Sequence, residues 1–303
     1  MRLAKILVPI DGSAYADYGL NIAMRIAELY SSRVDLLNVR EPAAAFVPTR
    51  AIDPVIGGTV LVIPSEVLPE QAKKEIDAEK KEADDLLEDR LNLLREKKIE
   101  GGKILSETPD FSGEILRIAH SGGYDLVVVG SRGLSGIKSV ILGSVSTKVA
   151  KEAKCSVLVM KQKVEGAPKM LLGYDGSDES KKALEYACDL GKKLGAEVDP
   201  MTVVNLPATA EGLVGVDVDR WEKEMNEQLD EAIKTLESAG IPAKRKMIEF
   251  MDAAKALTDE AEKENYGLIV VGNRGLGRLK SLFLGSVASG VANNSKTNVW
   301  IVR

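Results

Sequence analysis

Two stretches of the chain carry residue types suited to holding a phosphate. The first reads Val127-Val128-Val129-Gly130-Ser131-Arg132-Gly133, then nine residues, then Gly143-Ser144. The second reads Ile269-Val270-Val271-Gly272-Asn273-Arg274-Gly275, then nine residues, then Gly285-Ser286. An apolar run bounded by glycine reads as a buried strand of a parallel sheet. Gly130 and Gly133, and Gly272 and Gly275 in the second copy, permit a tight turn and a close backbone approach to a ligand. Gly143-Ser144 and Gly285-Ser286 open the following helix, with the serine as a candidate N-cap. Unpaired N–H groups and the positive end of the helix dipole make such a place welcoming to an anion. Glycines also punctuate turns in any α/β chain. The same spacing held twice favours phosphate. Arg132 and Arg274 sit inside the loops, as charge-assisted donors or as solvated side chains.

Strands and helices must bring these loops into place. In the first half, strands are predicted over 5–9, 33–39, 103–106, 125–129 and 156–160. Helices are predicted over 14–29, 71–98 and 111–121, and from Ser144. Leu20, Ala23, Ile26 and Ala27 share one face of the first helix. Ile76, Ala83, Leu86, Leu87, Leu91 and Leu94 form a stripe on the second, whose charges read as a solvated face. Residues 162–168 read as a linker. The second half repeats the plan, with strands over 169–174, 198–204, 244–248, 268–271 and 298–302. Its helices fall over 179–194, 219–239 and 253–264. Strand and helix alternation dictates a parallel sheet with helices on both faces, the last strand of each half either completing it or joining an edge. The fold class is therefore α/β, two tandem Rossmann-like domains over 1–163 and 168–303, each with a five-stranded, mostly parallel sheet.

Asp11 and Asp175 lie 164 residues apart, as do Val39 and Val203, whereas Gly130 and Gly272 lie 142 apart. Taking 142 from 164 leaves 22 extra residues in the first half, between Val39 and Gly130. Residues 41–69, with Pro42, Pro48, Pro54, Pro64 and Pro69, are the natural place. The apolar run Thr59-Val60-Leu61-Val62-Ile63 inside it suggests a flap near the first site or an oligomer contact. A disordered insertion is the alternative.

The net charge is −5, which offers no general attraction to nucleic acid or to acidic membranes. No apolar run approaches the roughly 20 residues that span a bilayer, and no signal peptide is expected, so a cytoplasmic location follows. Aromatic residues are 4% of a chain that is 45% apolar, so aliphatic side chains must fill the core. Cys155 and Cys188 form no metal or redox spacing.

Together with Pro9-x-Asp11-Gly12-Ser13 and Tyr174-Asp175-Gly176-Ser177, the duplicated glycine pattern resembles the universal stress protein family. More narrowly it resembles the nucleotide-binding branch in a tandem form. The resemblance implies ATP or AMP as ligand, with Mg2+ or Mn2+ carried on its phosphates. It places Asp11 and Asp175 near adenine and ribose, and the backbone of Val39 and Val203 beside the base. It places Gly130, Gly133, Gly143 and Ser144 on the phosphates, and in the second half Gly272, Gly275, Gly285 and Ser286. It also implies that 156–160 and 298–302 pair across the halves as a pseudo-dimer within one chain. Whether two chains associate stays open. Asp11 and Asp175 could instead cap the following helices. The second half has Gly173-Tyr174 where the first has Pro9-Ile10 before Asp11, and Asn273 for Ser131.

No catalytic constellation stands out. The one histidine, His120, falls on a helix away from the loops, and the Gly-x4-Gly-Lys-Ser/Thr pattern is missing. The expectation is a nucleotide-dependent sensor or regulator of a stress response, with at most slow ATP hydrolysis. A slow ATPase or phosphotransfer enzyme, and an interaction module with vacant sites, stand beside it.

Overall fold

The computed structural model describes residues 3–42, 70–133, 142–204, 218–249, 252–275 and 284–303. Of the flap expected over residues 41–69, residues 43–69 lie outside them. In chain order the first half runs β1 (Lys5–Pro9), α1 (Ala14–Tyr30), β2 (Arg33–Arg40), α2 (Glu70–Glu96), β3 (Gly101–Glu107), α3 (Phe111–Ser121), β4 (Leu126–Gly130), α4 (Ser144–Glu152) and β5 (Ser156–Met160). The second half runs β6 (Met170–Gly173), α5 (Asp178–Leu194), β7 (Val198–Val204), α6 (Val218–Ser238), β8 (Lys246–Glu249), α7 (Ala253–Lys263), β9 (Leu268–Gly272), α8 (Ser286–Asn294) and β10 (Asn298–Val302). Most ends fall within two residues of expectation. The short strand expected over 103–106 is longer, because β3 pairs with β2 along its whole length, from Val34 opposite Gly101 to Arg40 opposite Glu107.

The strands form one ten-stranded sheet in the order β3-β2-β1-β4-β5-β10-β9-β6-β7-β8. Within each half every pair is parallel. The halves meet where β5 and β10 pair antiparallel, Val159 opposite Val299, Leu158 opposite Trp300 and Val157 opposite Ile301. The last strands therefore sit at the centre of the sheet and not at an edge. Leu158 and Trp300 stand 142 residues apart, so the same position of the repeat meets itself, and a pseudo-two-fold axis passes between them.

The helices divide by face. Side chains of α1, α2, α5 and α6 pack on one side of the sheet, those of α3, α4, α7 and α8 on the other, and each core runs through both halves. Helix α1 buries Leu20, Ala23, Ile26 and Ala27, the face expected from its periodicity. Helix α2 buries Leu87, Leu91 and Leu94. Leu229 of α6, 142 residues beyond Leu87, is equally buried. The second offset thus already holds at α2, and the extra length lies before it. No described helix is long and apolar enough to cross a membrane.

One buried polar contact occurs in both halves. The Tyr124 hydroxyl donates to Asp35 at 2.9 Å, and the Tyr266 hydroxyl donates to Asp199 at 2.5 Å. Each ties a residue two positions before a glycine-loop strand to the second strand of its half. Burial first, and then the carboxylate bond, push both phenols well above the usual tyrosine range. Asp199 is completely buried and also accepts the Lys244 N–H at 2.7 Å, with the Lys169 ammonium at 3.3 Å. Removing one member leaves the others buried without their partner. Asp199→Ala is expected to cost about 3–5 kcal/mol and Tyr266→Phe about 1–3 kcal/mol, read as shifts of the urea midpoint. A wild-type midpoint for Asp199→Ala would show the contact to be idle.

Candidate functional site

The chain leaves β1 for β2 and β3 on one side, then returns to β4 and β5 on the other. The carboxyl ends of β1 and β4 therefore splay apart, and such a switch point is where open parallel sheets bind ligands. A cleft of about 210 Å3 lies there, lined by Asp11, Leu37, Val39, Phe111, Ile115, Gly130, Arg132, Gly133, Gly143 and Ser144 among others. Every first-half residue expected at the site is in this group.

The cleft has two chemically different ends. Leu37 and Val39 from β2 and Phe111 and Ile115 from α3 form an apolar slot. At the other end are the loop after β4 and the first turn of α4, whose leading N–H groups have no partner within the helix. Phe111 and Ile115 were not anticipated. Their signal was available: Asp110 caps α3 by accepting from Gly113, so Phe111 is its first residue and Ile115 is one turn on.

Three local expectations change. First, Ser144 and Ser286 are not N-caps. Gly143 and Gly285 occupy that position with extended backbone, the serines are the first helical residues, and neither helix has a side-chain cap. The glycine N–H is turned back into the loop, Gly143 to the Ser131 carbonyl and Gly285 to the Asn273 carbonyl, both at 2.8 Å. The two exposed hydroxyls are left free of a capping role.

Second, Asp11 and Asp175 do not cap their helices. Ser13 and Ser177 do, accepting from Ala16 and Ser180. Each aspartate instead accepts the N–H of that serine, at 2.9 Å for Asp11 and 3.1 Å for Asp175, in a tight turn. Its other carboxylate oxygen lies against the loop. A Cβ placed on Gly133 would come within 2.7 Å of Asp11 Oδ2, and one on Gly275 within 2.3 Å of Asp175 Oδ2. The Ser13 hydroxyl also donates to the Arg132 carbonyl at 3.3 Å. The β1–α1 turn and the glycine loop are thus one stitched unit.

Third, Gly130 and Gly272 serve helix packing. A Cβ on Gly130 would meet the Tyr15 backbone and Cβ at 2.9 Å, and one on Gly272 the Glu179 backbone at 2.7 Å. The helix that follows the first strand of each half crosses directly over them.

The second copy keeps the backbone and changes the side chains. Val203 is half-buried at the end of β7, as Val39 is on β2. Ala253 stands at the position of Phe111, Tyr174 at that of Ile10, and Glu179 at that of Tyr15. Arg132 lies over the Tyr15 ring, 5.8 Å from its centre. Arg274 lacks that ring, and its Nε is buried without a hydrogen bond among the described residues. Ser146 anchors α4 by donating to the Gly130 carbonyl at 2.5 Å, and Ala288 stands in its place on α8. His120 contacts Lys154 at 3.3 Å, away from the cleft. Cys155 and Cys188 are both free thiols, and burial raises both. Among the described residues no cluster of His, Cys, Asp or Glu could hold a metal ion.

A family model described as "Universal stress protein family" matches residues 57–161 and again residues 167–303. A universal stress protein of Mycolicibacterium smegmatis is 27% identical over 312 aligned positions, covering 98% of this chain and 96% of that protein. Universal stress protein YxiE of Bacillus subtilis is 34% identical over 157 positions, covering 52% of this chain and 98% of that protein. The crystal structure of a universal stress protein from Archaeoglobus fulgidus superposes with a TM-score of 0.68 at 22% identity, covering 100% of this chain and 99% of that one. It shares the whole tandem fold.

The packing role of Gly130 is separable from that of Gly133. Gly130→Ala pushes a methyl into helix backbone, which cannot give way without moving α1, and should cost about 1–3 kcal/mol. Gly133→Ala meets a carboxylate that can rotate aside, and should cost clearly less. Equal losses in urea unfolding would show that α1 does not hold Gly130.

Proposed function

The chain belongs to the universal stress protein family, and on that premise we propose that it binds an adenine nucleotide, ATP or AMP, in each half. In this reading residues 1–163 and 168–303 are two nucleotide-binding domains of one sensor or regulator of a stress response.

One observation carries the proposal: the first cleft is apolar at one end and rich in backbone donors at the other. Leu37, Val39, Phe111 and Ile115 suit a flat, weakly polar base. Gly130, Arg132, Gly133 and Gly143 and the first turn of α4 suit a phosphate chain. Asp11 lies between them, where a carboxylate accepts hydrogen bonds from ribose hydroxyls. Arg132 adds a cation held partly in place by Tyr15. A divalent ion such as Mg2+ or Mn2+ would ride on the phosphates, with Asp11 in reach.

The same lining argues for binding above turnover. Asp11 is the one carboxylate among the described residues of the cleft, and no histidine lines it. Asp11 is already engaged with the Ser13 N–H. With no separate base to activate water, hydrolysis is expected to be very slow.

Calorimetry with ATP and with AMP tests the reading, and two nucleotides per chain are expected. Gly133→Val and Gly275→Val should each remove one site, since a branched side chain then meets the aspartate and the phosphate path together. Ser144→Ala should weaken the first site by about 0.5–1.5 kcal/mol, the worth of one hydrogen bond. One site in the wild type would mean that the second half has lost its ligand, and two surviving in Gly275→Val would mean that the phosphate does not pass Gly275.

A further inference from the structure

Each half holds the far end of the other half's loop helix. Lys161 follows β5, and its ammonium crosses the seam to donate to the Ala292 carbonyl at 2.6 Å and the Ser295 carbonyl at 2.5 Å. These are the last turn and the C-cap of α8. Arg303 follows β10, 142 residues on, and does the same in reverse. Its guanidinium donates to the carbonyls of Ala150 at 2.5 Å, Lys151 at 3.5 Å and Cys155 at 3.3 Å, at the end of α4 and just beyond. The main chain repeats the exchange. Lys161 N–H donates to Asn298 Oδ1 at 2.8 Å, and Arg303 N–H to Ser156 Oγ at 3.1 Å.

Both cations also adjoin their own glycine loop. The Ser131 N–H bonds the Met160 carbonyl, one residue before Lys161, at 2.7 Å. The Asn273 N–H bonds the Val302 carbonyl, one residue before Arg303, at 2.9 Å. Burial and then the nearby Arg132 charge push the Lys161 ammonium down to about 8. Burial lowers Arg303 to about 10, with Cys155 acting against the shift and the Arg274 charge adding to it. Helix α4 therefore starts at the first loop and ends under a cation that neighbours the second. Helix α8 starts at the second loop and ends under a cation that neighbours the first.

We propose that Lys161 and Arg303 couple the two nucleotide sites, so that filling one raises the affinity of the other. At each loop two like charges are close in the fold: Arg132 follows Ser131, which bonds the residue before Lys161, and Arg274 follows Asn273, which bonds the residue before Arg303. A polyphosphate on the first loop cancels the Arg132 field at Lys161. The ammonium is then held more firmly on the last carbonyls of α8. That fixes the helix whose other end receives the second phosphate, with a cation at its negative pole and an anion at its positive one. The reverse path runs through Arg274, Arg303 and α4. Linkage requires the same factor in both directions. Lys161 and Arg303 are positioning residues here, since neither lines the cleft.

The inference rests on the two-site reading, and ATP titrations of the full chain separate the two. Between two sites of equal intrinsic affinity, five-fold coupling, the low end of typical values, gives a Hill coefficient of about 1.4, and a difference between the sites lowers it. Unequal but independent sites give a value of one or less. Lys161→Met and Arg303→Met should bring the coefficient to one or below while the first ATP binds within about two-fold of wild type, a small change beside typical coupling. Lys161→Arg, which keeps the charge, should retain the cooperativity that a methionine loses. Two independent sites in the wild type would overturn the coupling and leave the two-site reading intact. So would cooperativity unchanged in Lys161→Met. No ATP binding at all would overturn both. The wild-type isotherm decides the matter even if a methionine variant fails to fold.

Discussion

The antiparallel pairing of β5 with β10 is the constraint on which the rest depends. A parallel sheet of five strands ends in an edge whose N–H and C=O groups invite another strand. Here each half uses the other as that strand. The pairing places Val157, Leu158, Val159, Val299, Trp300 and Ile301 at the centre of the sheet, all of them essentially out of solvent. It lets both cores run without a break beneath helices of both halves. It also sets the two loop regions at opposite ends of the sheet, because antiparallel neighbours point their carboxyl ends in opposite directions.

The duplication preserved a frame and released its contents. Capping serines at Ser13 and Ser177, aspartates at Asp11 and Asp175, and glycines forced by helix contact at Gly130 and Gly272 all belong to the frame. So do the two buried tyrosine–aspartate contacts. The contents differ at the positions that would touch a ligand's apolar part or steady a loop arginine: Phe111 against Ala253, Tyr15 against Glu179. Two halves built on one backbone therefore present different side chains at matching positions.

Much of this was legible beforehand. Strand and helix order follow from the period of the apolar residues, and the glycine spacing marks where the sheet opens. Other features were not legible because they depend on which elements touch. Nothing local to Gly130 says that α1 will cross it, so its small size reads as room for a ligand. Ser144 has the residue type of an N-cap, but the loop needs the N–H of Gly143, and the cap falls one residue earlier. The carboxylate of Asp35 and the phenol of Tyr124 lie 89 residues apart, and only the folded sheet joins them. Lys161 looks like an ordinary lysine at the end of a strand until the second half is placed beside it.

Trp300 lies opposite Leu158 on the pseudo-axis, fully buried, with Tyr186 edge-on to its ring at 5.8 Å. Ile22, Ile26, Leu190 and Leu194 close over the pair and leave a void of only about 20 Å3. In an assembly of two identical subunits, a residue on the dyad can only face itself. Two indoles at that spot would overfill the space, and two leucines would leave it underfilled. A covalent tandem is free of this self-complementarity rule. One half supplies the large side chain and the other the small one, a heterologous fit at the heart of a nearly symmetric molecule that no homodimer of either half could reproduce.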